Sequence, residues 1–598
     1  MRLHRLSING FKRLHTAEIN FGKATFLIGA NNAGKSSVLK AIGWLLSNSK
    51  RMDTDCFCSE LDEETGEAKI TSDTVILEAE FRNVPDVASM WRGFKGRIFS
   101  YDPKDSGETG KSIFYRKTYK LAEDVKIELK TFKRMMKSEF VDLQKPSDFI
   151  GAGGAPDLFS EIFSALDKKI SPGDRDKLEL IDELWEIKEE EEEWAINPGG
   201  IGGVVLSKLP SILIIPAESA SHEIDQKSGV LQKTLHELFK DVRESSANYK
   251  EAQACLNLLA KELDPSDIGS EFGKMMGELN TVLGGVFPES RIYAAADLSS
   301  PDALVPTFEI EMSSNIRTSV ANQGTGMVRA AVFGLLRFRQ QWLKRRNGND
   351  ERGLIIGFEE PEIYLHPSAA NQMRDLIYDL SNQNSQIVAT THSPYLIDLS
   401  RKPKQVLNRF QYEKGNTTVL PFSVSEEFVK LQSNDKDQVK MLIKLDDHVS
   451  RIFFTRRVLV VEGDTEEVVV KEAIRRMPAE MKSLILSGSE IIKARGKASI
   501  IGLVKYLNAL NVDFFVIHDR DKGTEGAEKF NEPIRAAVGN DERLTLLEEC
   551  IEDFLGYPVP GSEKPFNAYK HTLGWGEGWD GVPEQLKKLL TKVYAALT

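Results

Sequence analysis

Apolar and polar positions change period several times along the chain, and each change predicts an element. Residues Leu3 to Ile8 and Ala17 to Phe21 read as strands, and Thr25 to Ile28 is a short apolar run of the kind a buried strand carries. The stretch SSVLKAIGWLL then places Val38, Ile42, Leu45 and Leu46 at helical spacing. Strand-like alternation returns over 75–82 and 112–132. From about 133 to 300 the pattern turns polar and helical, broken by GAGGAP and NPGGIGG and by one short buried strand, Ile212 to Ile215. The acidic run Glu189–Glu193 is expected on a solvated helix face or loop. Between 301 and 400 the order is VPTFEIEM, a helix from Gly326, GLIIGF, a helix, QIVAT and another helix. Residues 401–450 read as a connector with some strand, and at RRVLVV a fresh strand–helix alternation begins. The pattern predicts two α/β modules, the first interrupted by a long helical insertion.

Composition narrows the class. The 598 residues are 41% hydrophobic and 28% charged, the balance of a globular protein, and no run reaches the ~18 apolar residues that span a bilayer. The first residues lack the apolar block of a secretory signal. Four cysteines are too few for a disulfide framework, so a reduced, cytoplasmic protein without membrane contact is expected. A net charge of −12 argues against a generally basic surface but leaves room for a local basic groove. Candidate strips are Lys130, Lys133, Arg134 and Lys137, and Lys344-Arg345-Arg346.

Two sets of residues carry chemistry. The first is Gly29-Ala30-Asn31-Asn32-Ala33-Gly34-Lys35-Ser36, a G-x-x-x-x-G-K-S loop between a predicted strand and a predicted helix. Its backbone N–H groups would cradle phosphates, which makes Gly29, Asn31, Asn32, Gly34, Lys35, Ser36 and Ser37 the nucleotide positions. Lys35 would reach the β- and γ-phosphates of ATP and face solvent without them, and Ser36 would ligand Mg²⁺. At the end of the strand Leu354 to Phe358, Glu359 would hold the metal and Glu360 would polarise the attacking water. His392, ending the strand QIVATT, would sense the γ-phosphate.

The second set lies in the last module. Glu462 ends the strand Arg457–Val461, and Glu466 follows in the first helical turn, with Asp464 and Glu467 as the expected helix cap pair. Asp519 and Asp521 form a D-x-D at the end of a second strand. Carboxylates at strand ends of an open α/β sheet suit Mg²⁺ or Mn²⁺.

The opening Leu6-x-Ile8-x-x-Phe11-Lys12 and the loop GANNAGKSSVLKAI resemble the SMC-like ATP-binding-cassette ATPases. That resemblance implies ATP sandwiched between paired subunits, with a signature loop matched here by Asn322-Gln323-Gly324-Thr325-Gly326-Met327, so Gly324 and Gly326 join the nucleotide set. E-G-x-x-E followed by D-x-D resembles the Toprim fold, and GSEIIKARGKASIIGLVKYLNAL between them looks like that family too. An SMC/ABC-type ATPase followed by Toprim resembles the overcoming-lysogenisation-defect (OLD) nucleases.

The resemblance implies a third acidic group, Glu552 with Glu548 as the alternative, and a lysine, Lys570 with Lys564 as the alternative. The implied division is 1–134 and 301–400 for the ATPase, 135–300 for a helical dimerisation insertion, 401–450 for a connector and 451–598 for Toprim. The implied activity is ATP hydrolysis and two-metal DNA cleavage by a homo-oligomer, in anti-phage defence or DNA processing, with a possible defence partner. The competing expectation is a nucleotide-gated scaffold or SMC-like repair ATPase that binds DNA without cutting it; topoisomerase activity is disfavoured.

Overall fold

The computed structural model describes residues 1–61, 68–101, 110–217, 246–277, 311–324, 353–413, 416–423 and 451–597, except for short stretches inside those ranges and with isolated positions between 235 and 442. The chain divides into two compact units, one formed by Met1–Ala217 with Arg352–Thr598 and the other by Glu218–Glu351. The described part of the second unit includes a helix, Ala247–Glu262, and an antiparallel pair, Glu311–Ser313 with Arg317–Ser319.

The first unit opens with β1 (Arg2–Phe11), β2 (Leu14–Asn20) and β3 (Ala24–Gly29). An antiparallel sheet joins β1 and β2 to β4 (Thr74–Arg82), β5 (Lys111–Lys120), β6 (Lys126–Met136) and β7 (Trp185–Ile196), in the order β7–β6–β5–β4–β1–β2. Period-two alternation buries Leu6 and Ile8, and a bulge between Leu3 and Arg5 resets the pleat so that Leu3 is buried as well. These residues share one core with Val38, Leu39, Ile42 and Leu45 of helix α1 (Lys35–Leu45). Each such side chain, fully buried, contributes roughly 1.5–3 kcal/mol.

Strand β7 corrects the reading of the acidic run. Glu189–Glu193 lies in an extended strand, not on a helix or loop: Glu192 and Glu193 pair antiparallel with β6, and Glu189–Glu191 occupy a break in the register. The reason is cross-strand charge pairing: Lys133 Nζ meets Glu191 at 2.5 Å, and Lys130 pairs with Glu192. Two of the lysines expected to contact DNA are therefore neutralised within the sheet. The side chain of Arg134 and the run Lys344–Arg346 lie outside the described residues.

Strand β3 is central to a second sheet, ordered β8 (Ser211–Ile215), β9 (Leu354–Glu359), β10 (Ser385–Thr390), β3, β11 (Gln405–Glu413), β12 (Asn416–Ser423). All neighbours are parallel except β11 and β12, and helix α2 (Pro367–Asn382) links β9 to β10. Residues 405–423, expected within a connector, thus complete this sheet. The parallel arrangement brings the carboxyl ends of β3, β9 and β10 side by side.

Two buried amides stitch the sheets together. Gln386 accepts from the Leu3 N–H (3.0 Å) and donates to Leu3 O (2.6 Å) and Gly22 O (2.9 Å). Asn408 accepts from the Asn20 N–H (3.1 Å) and donates to Asn20 O (2.9 Å). Each replaces the ladder bonds that a neighbouring strand would have supplied.

The final module is a parallel sheet, β14–β13–β15–β16, built from β13 (Arg457–Val461), β14 (Ser489–Lys493), β15 (Asp513–Asp519) and β16 (Leu544–Leu547). Around it run α3 (Asp464–Arg475), α4 (Lys497–Ala509), α5 (Ile551–Leu555) and α6 (Lys564–Leu573). Leu459, Val461, Phe515 and Ile517 form its core with Val469, Val470 and Ala473 of α3.

Gln386→Leu fills the same space but strands the polar groups of Leu3 and Gly22. It is expected to destabilise the protein by roughly 2–4 kcal/mol. Chemical denaturation followed by tryptophan fluorescence checks this; an unchanged midpoint would mean the amide bridge carries no weight.

Candidate functional site

The loop after β3 is shaped by two glycines. Gly34 caps α1 at φ +98°, and Gly29 at φ +142° passes so close to β11 that a Cβ would meet Phe410 O at 2.4 Å. Asn31, Asn32, Gly34, Lys35, Ser36 and Ser37 line a pocket of about 810 Å³, large enough for a nucleotide, with Glu360 and His392 on its rim. Arg13 adds positive charge, holding Asn32 O at 3.4 Å.

Lys35 differs from expectation. It is buried rather than solvent-facing, and its Nζ donates to Gly29 O (3.0 Å) and Ala30 O (2.9 Å) and meets His392 Nε2 at 2.9 Å. The loop's own carbonyls occupy the ammonium. Burial holds its pKa below the usual lysine range, against the pull of Glu360 and Glu362. His392 is likewise held low, by burial and then by Lys35.

Glu360 sits just past β9 at φ +42°, with its N–H donated to Thr390 O and Oγ1 of β10, each at 3.1 Å. Its carboxylate accepts the His392 N–H at 3.1 Å and lies 3.3 Å from His392 Nε2. Burial, then the Glu362 carboxylate, pushes it up to about 7, while Lys35 opposes. Glu359 points elsewhere: its Oε2 accepts the Ala217 N–H at 3.4 Å, and it does not line the pocket.

Sequence reasoning missed Glu362. One of its oxygens gathers the Thr391 hydroxyl (2.5 Å) and the N–H groups of His392 and Ser393 (3.1 Å each), so it braces the strand end that presents His392. The third acid of Glu359-Glu360-Pro361-Glu362 was the available signal. Gly324 lies in the Glu218–Glu351 unit, and Gly326 lies outside the described residues.

In the last module the strand tips gather carboxylates. Glu462 follows β13, and its Oε2 takes the Asp519 N–H at 3.4 Å. Glu466, only 5% exposed, closes the start of α3 by accepting the Gly463 N–H at 2.8 Å. This corrects the expected cap pair. Asp464 instead pairs with Lys493 at 2.5 Å, and Glu467 pairs with Lys471 at 2.6 Å. Glu552 at α5 is buried, whereas Glu548 stands out in solvent against Arg520, so Glu552 is the acid brought to the cluster.

Burial, then the charges of Glu466, Glu462, Asp521 and Glu552, pushes the Asp519 carboxyl up to about 8. Burial likewise lifts Glu462 to about 7, with Lys497 opposing, and raises Glu466. Burial lowers His518, beneath Asp519, to about 4.

Two oxygens here, Asp519 Oδ1 and Glu552 Oε1, are buried without a hydrogen-bond partner, as befits ligand atoms for a cation. No three of the five carboxylates bring oxygens within 4.8 Å of one another, a spread wider than a single-ion cage.

Of the two lysines expected to complete the site, Lys570 lies over the Phe566 ring at 4.5 Å. Lys564 is the lysine of α6 whose charge reaches Glu466. A second lysine was overlooked: Lys497, buried at the start of α4, pairs with Asp521 at 2.7 Å and donates to Arg520 O and Asn531 Oδ1. Its place after Gly496 in the glycine–lysine turn was the signal.

Residues 1–397 match the model of the AAA ATPase domain, and residues 453–521 match the TOPRIM domain of overcoming-lysogenization-defect-like proteins. The Old nuclease of Escherichia phage P2 is 22% identical over 87% of this chain and 77% of its own length. The OLD nuclease of Thermus scotoductus is 26% identical over 41% of this chain and 47% of its own, and endonuclease GajA of Bacillus cereus is 25% identical over 27% and 26%. With that ATPase match spanning most of its length, the chain belongs to the AAA ATPase-domain family and carries an OLD-like TOPRIM domain behind it.

Proposed function

We propose that the chain is an ATP-hydrolysing, divalent-metal-dependent DNA endonuclease that serves anti-phage defence or DNA processing as a homo-oligomer in the cytoplasm. The observation that carries this reading is the set of five carboxylates at strand tips, two with buried oxygens that nothing else satisfies. Three relatives named as nucleases support it. Among the described residues no helix is long and apolar enough to cross a membrane.

Glu462, Glu466, Asp519, Asp521 and Glu552 would hold Mg²⁺ or Mn²⁺, and two such ions would activate water and stabilise the leaving oxygen of a phosphodiester. Lys497 pairs with Asp521, and Lys564, whose charge reaches Glu466, would meet the scissile phosphate. In the ATPase pocket, Lys35 must leave Gly29 O and Ala30 O to meet phosphate, which releases His392 from it. Glu360 would take a proton from the attacking water and Ser36 would ligand the ion, whereas Glu359, held by the Ala217 N–H and off the pocket lining, would have to turn inward to reach a metal-bound water.

Four outcomes test this reading. ATP hydrolysis should rise with pH through about 7, because Glu360 acts only when ionised. Glu360→Gln should bind ATP but hydrolyse it at least a hundredfold more slowly, within the ~10²–10⁴ range of general base catalysis. Phosphate release measured from pH 6 to 9 reads both; an unchanged rate in the variant would remove Glu360 from the role.

Glu462→Ala should abolish plasmid nicking in Mn²⁺ while leaving phosphate release largely intact. Nicking at the wild-type rate sinks the nuclease reading and favours the scaffold.

Metal-free protein should also lose stability as pH rises. Burial and the neighbouring carboxylates push Asp519 in the fold up to about 8 from its ordinary 3.8, so its contribution is full below 3.8 and is lost as pH climbs to about 8. Asp519→Asn should flatten that loss in a thermal scan, and a slope identical to wild type would overturn the assignment.

A further inference from the structure

Helix α6 starts beside the acidic cluster and carries an outer face that no described residue covers. Its inner side is fixed. Ala568 and Thr572 are buried, His571 stacks on Tyr557 with centroids 4.3 Å apart, and Arg476 donates to Thr572 O (3.0 Å) and Gly576 O (2.6 Å). The outer side presents Phe566 (51% exposed), Tyr569 (41%) and Leu573 (52%) at i, i+3 and i+7, one stripe of the helix.

Charge says what this stripe suits. The ten residues KPFNAYKHTL hold two lysines and a histidine and no carboxylate, in a chain whose net charge is −12. Lys570 flanks Phe566, Lys564 is exposed at the helix start, and neither forms an ion pair among the described residues. A second copy docking symmetrically on this stripe would bring its lysines against these, a like-charge contact. A nucleic acid strand offers the complement, bases for the rings and phosphates for the lysines. Bases inside a duplex are already stacked, so exposed rings engage unpaired ones.

We propose that α6 is a docking track for unpaired DNA, with bases stacking on Phe566 and Tyr569 and the backbone passing Lys570 and Lys564 toward the carboxylates. This deepens the nuclease reading and rests on it for direction, since Lys564 is where the track meets the acidic site.

The test is fluorescence anisotropy of a labelled oligothymidylate with the full chain in EDTA, beside Phe566→Ala/Tyr569→Ala and Lys570→Gln. The double variant should bind about tenfold more weakly or worse, since stacking is worth roughly 1–3 kcal/mol per base. Lys570→Gln should lower the slope of log affinity against log salt by about 0.7. Melting temperatures should fall only slightly, because both rings are about half exposed.

Wild-type protein with no affinity for the oligonucleotide, or a double variant that binds like wild type, overturns the proposal. So does a double variant that changes only the sedimentation coefficient, which would assign the stripe to self-association. Plasmid nicking on the same preparations separates the two readings. Oligonucleotide binding that needs the rings, in a wild-type protein that cleaves nothing, supports the track and removes the nuclease.

Discussion

Gathering like charges at the tips of parallel strands costs free energy, and much of the last module is arranged around that cost. Glu462, Glu466, Asp519 and Glu552 are buried or half-buried close together, and mutual repulsion adds to desolvation in lifting Asp519 and Glu462 toward neutrality. The fold offsets this with fixed donors. The Gly463 N–H holds Glu466, the Asp519 N–H reaches Glu462, and the Lys497 ammonium pairs with Asp521. Compensation is incomplete, because Asp519 Oδ1 and Glu552 Oε1 receive nothing. A site left short of positive charge is built for a ligand that brings it.

The ATPase pocket solves the opposite problem, an ammonium that needs anions. Lys35 is satisfied by two loop carbonyls and the His392 ring, a neutral substitute for phosphate oxygens. Glu360 and Glu362 stand behind it, and Glu362 spends one oxygen on the three groups that follow β10. Lysine, histidine and base therefore form one connected set before nucleotide arrives. Phosphate entering the pocket competes for Lys35 first, and each partner it releases changes the surroundings of Glu360.

Much of this was legible in the sequence, for a physical reason. The G-x-x-x-x-G-K-S loop, the two acids after LIIGF, and the E-G-x-x-E and D-x-D pairs each need only a strand end and local spacing, both visible as a change of hydrophobic period. What depended on tertiary pairing was not legible. The Glu189–Glu193 run reads as a solvated helix face or loop until side chains of two β6 lysines pair with Glu191 and Glu192. Gln386 and Asn408 look like ordinary polar strand residues until the backbone of β1, β2 and the turn before β3 comes within their reach. Lys497 and Glu362 were passed over because their partners lie on other elements. Nothing in the sequence distinguishes Lys570 from Lys564, because which turn of α6 faces the cluster is set by tertiary packing.

One hydrogen bond links a strand of the phosphate-loop sheet to the start of the last module. β11 lies against the phosphate loop so closely that only glycine fits at position 29, opposite Phe410. The neighbouring residue, Arg409, reaches from β11 to Thr455 O at 2.5 Å, and Thr455 in turn caps the start of β13 through Arg457 O (3.1 Å). Glu462 follows that strand directly. A displacement of the phosphate loop thus meets backbone at Phe410 with no side-chain slack to absorb it, and the next rigid element along the path carries the nuclease carboxylates. Any coupling between ATP turnover and cleavage that travels through packed structure has this route within the first unit, through β11 and the Arg409–Thr455 contact.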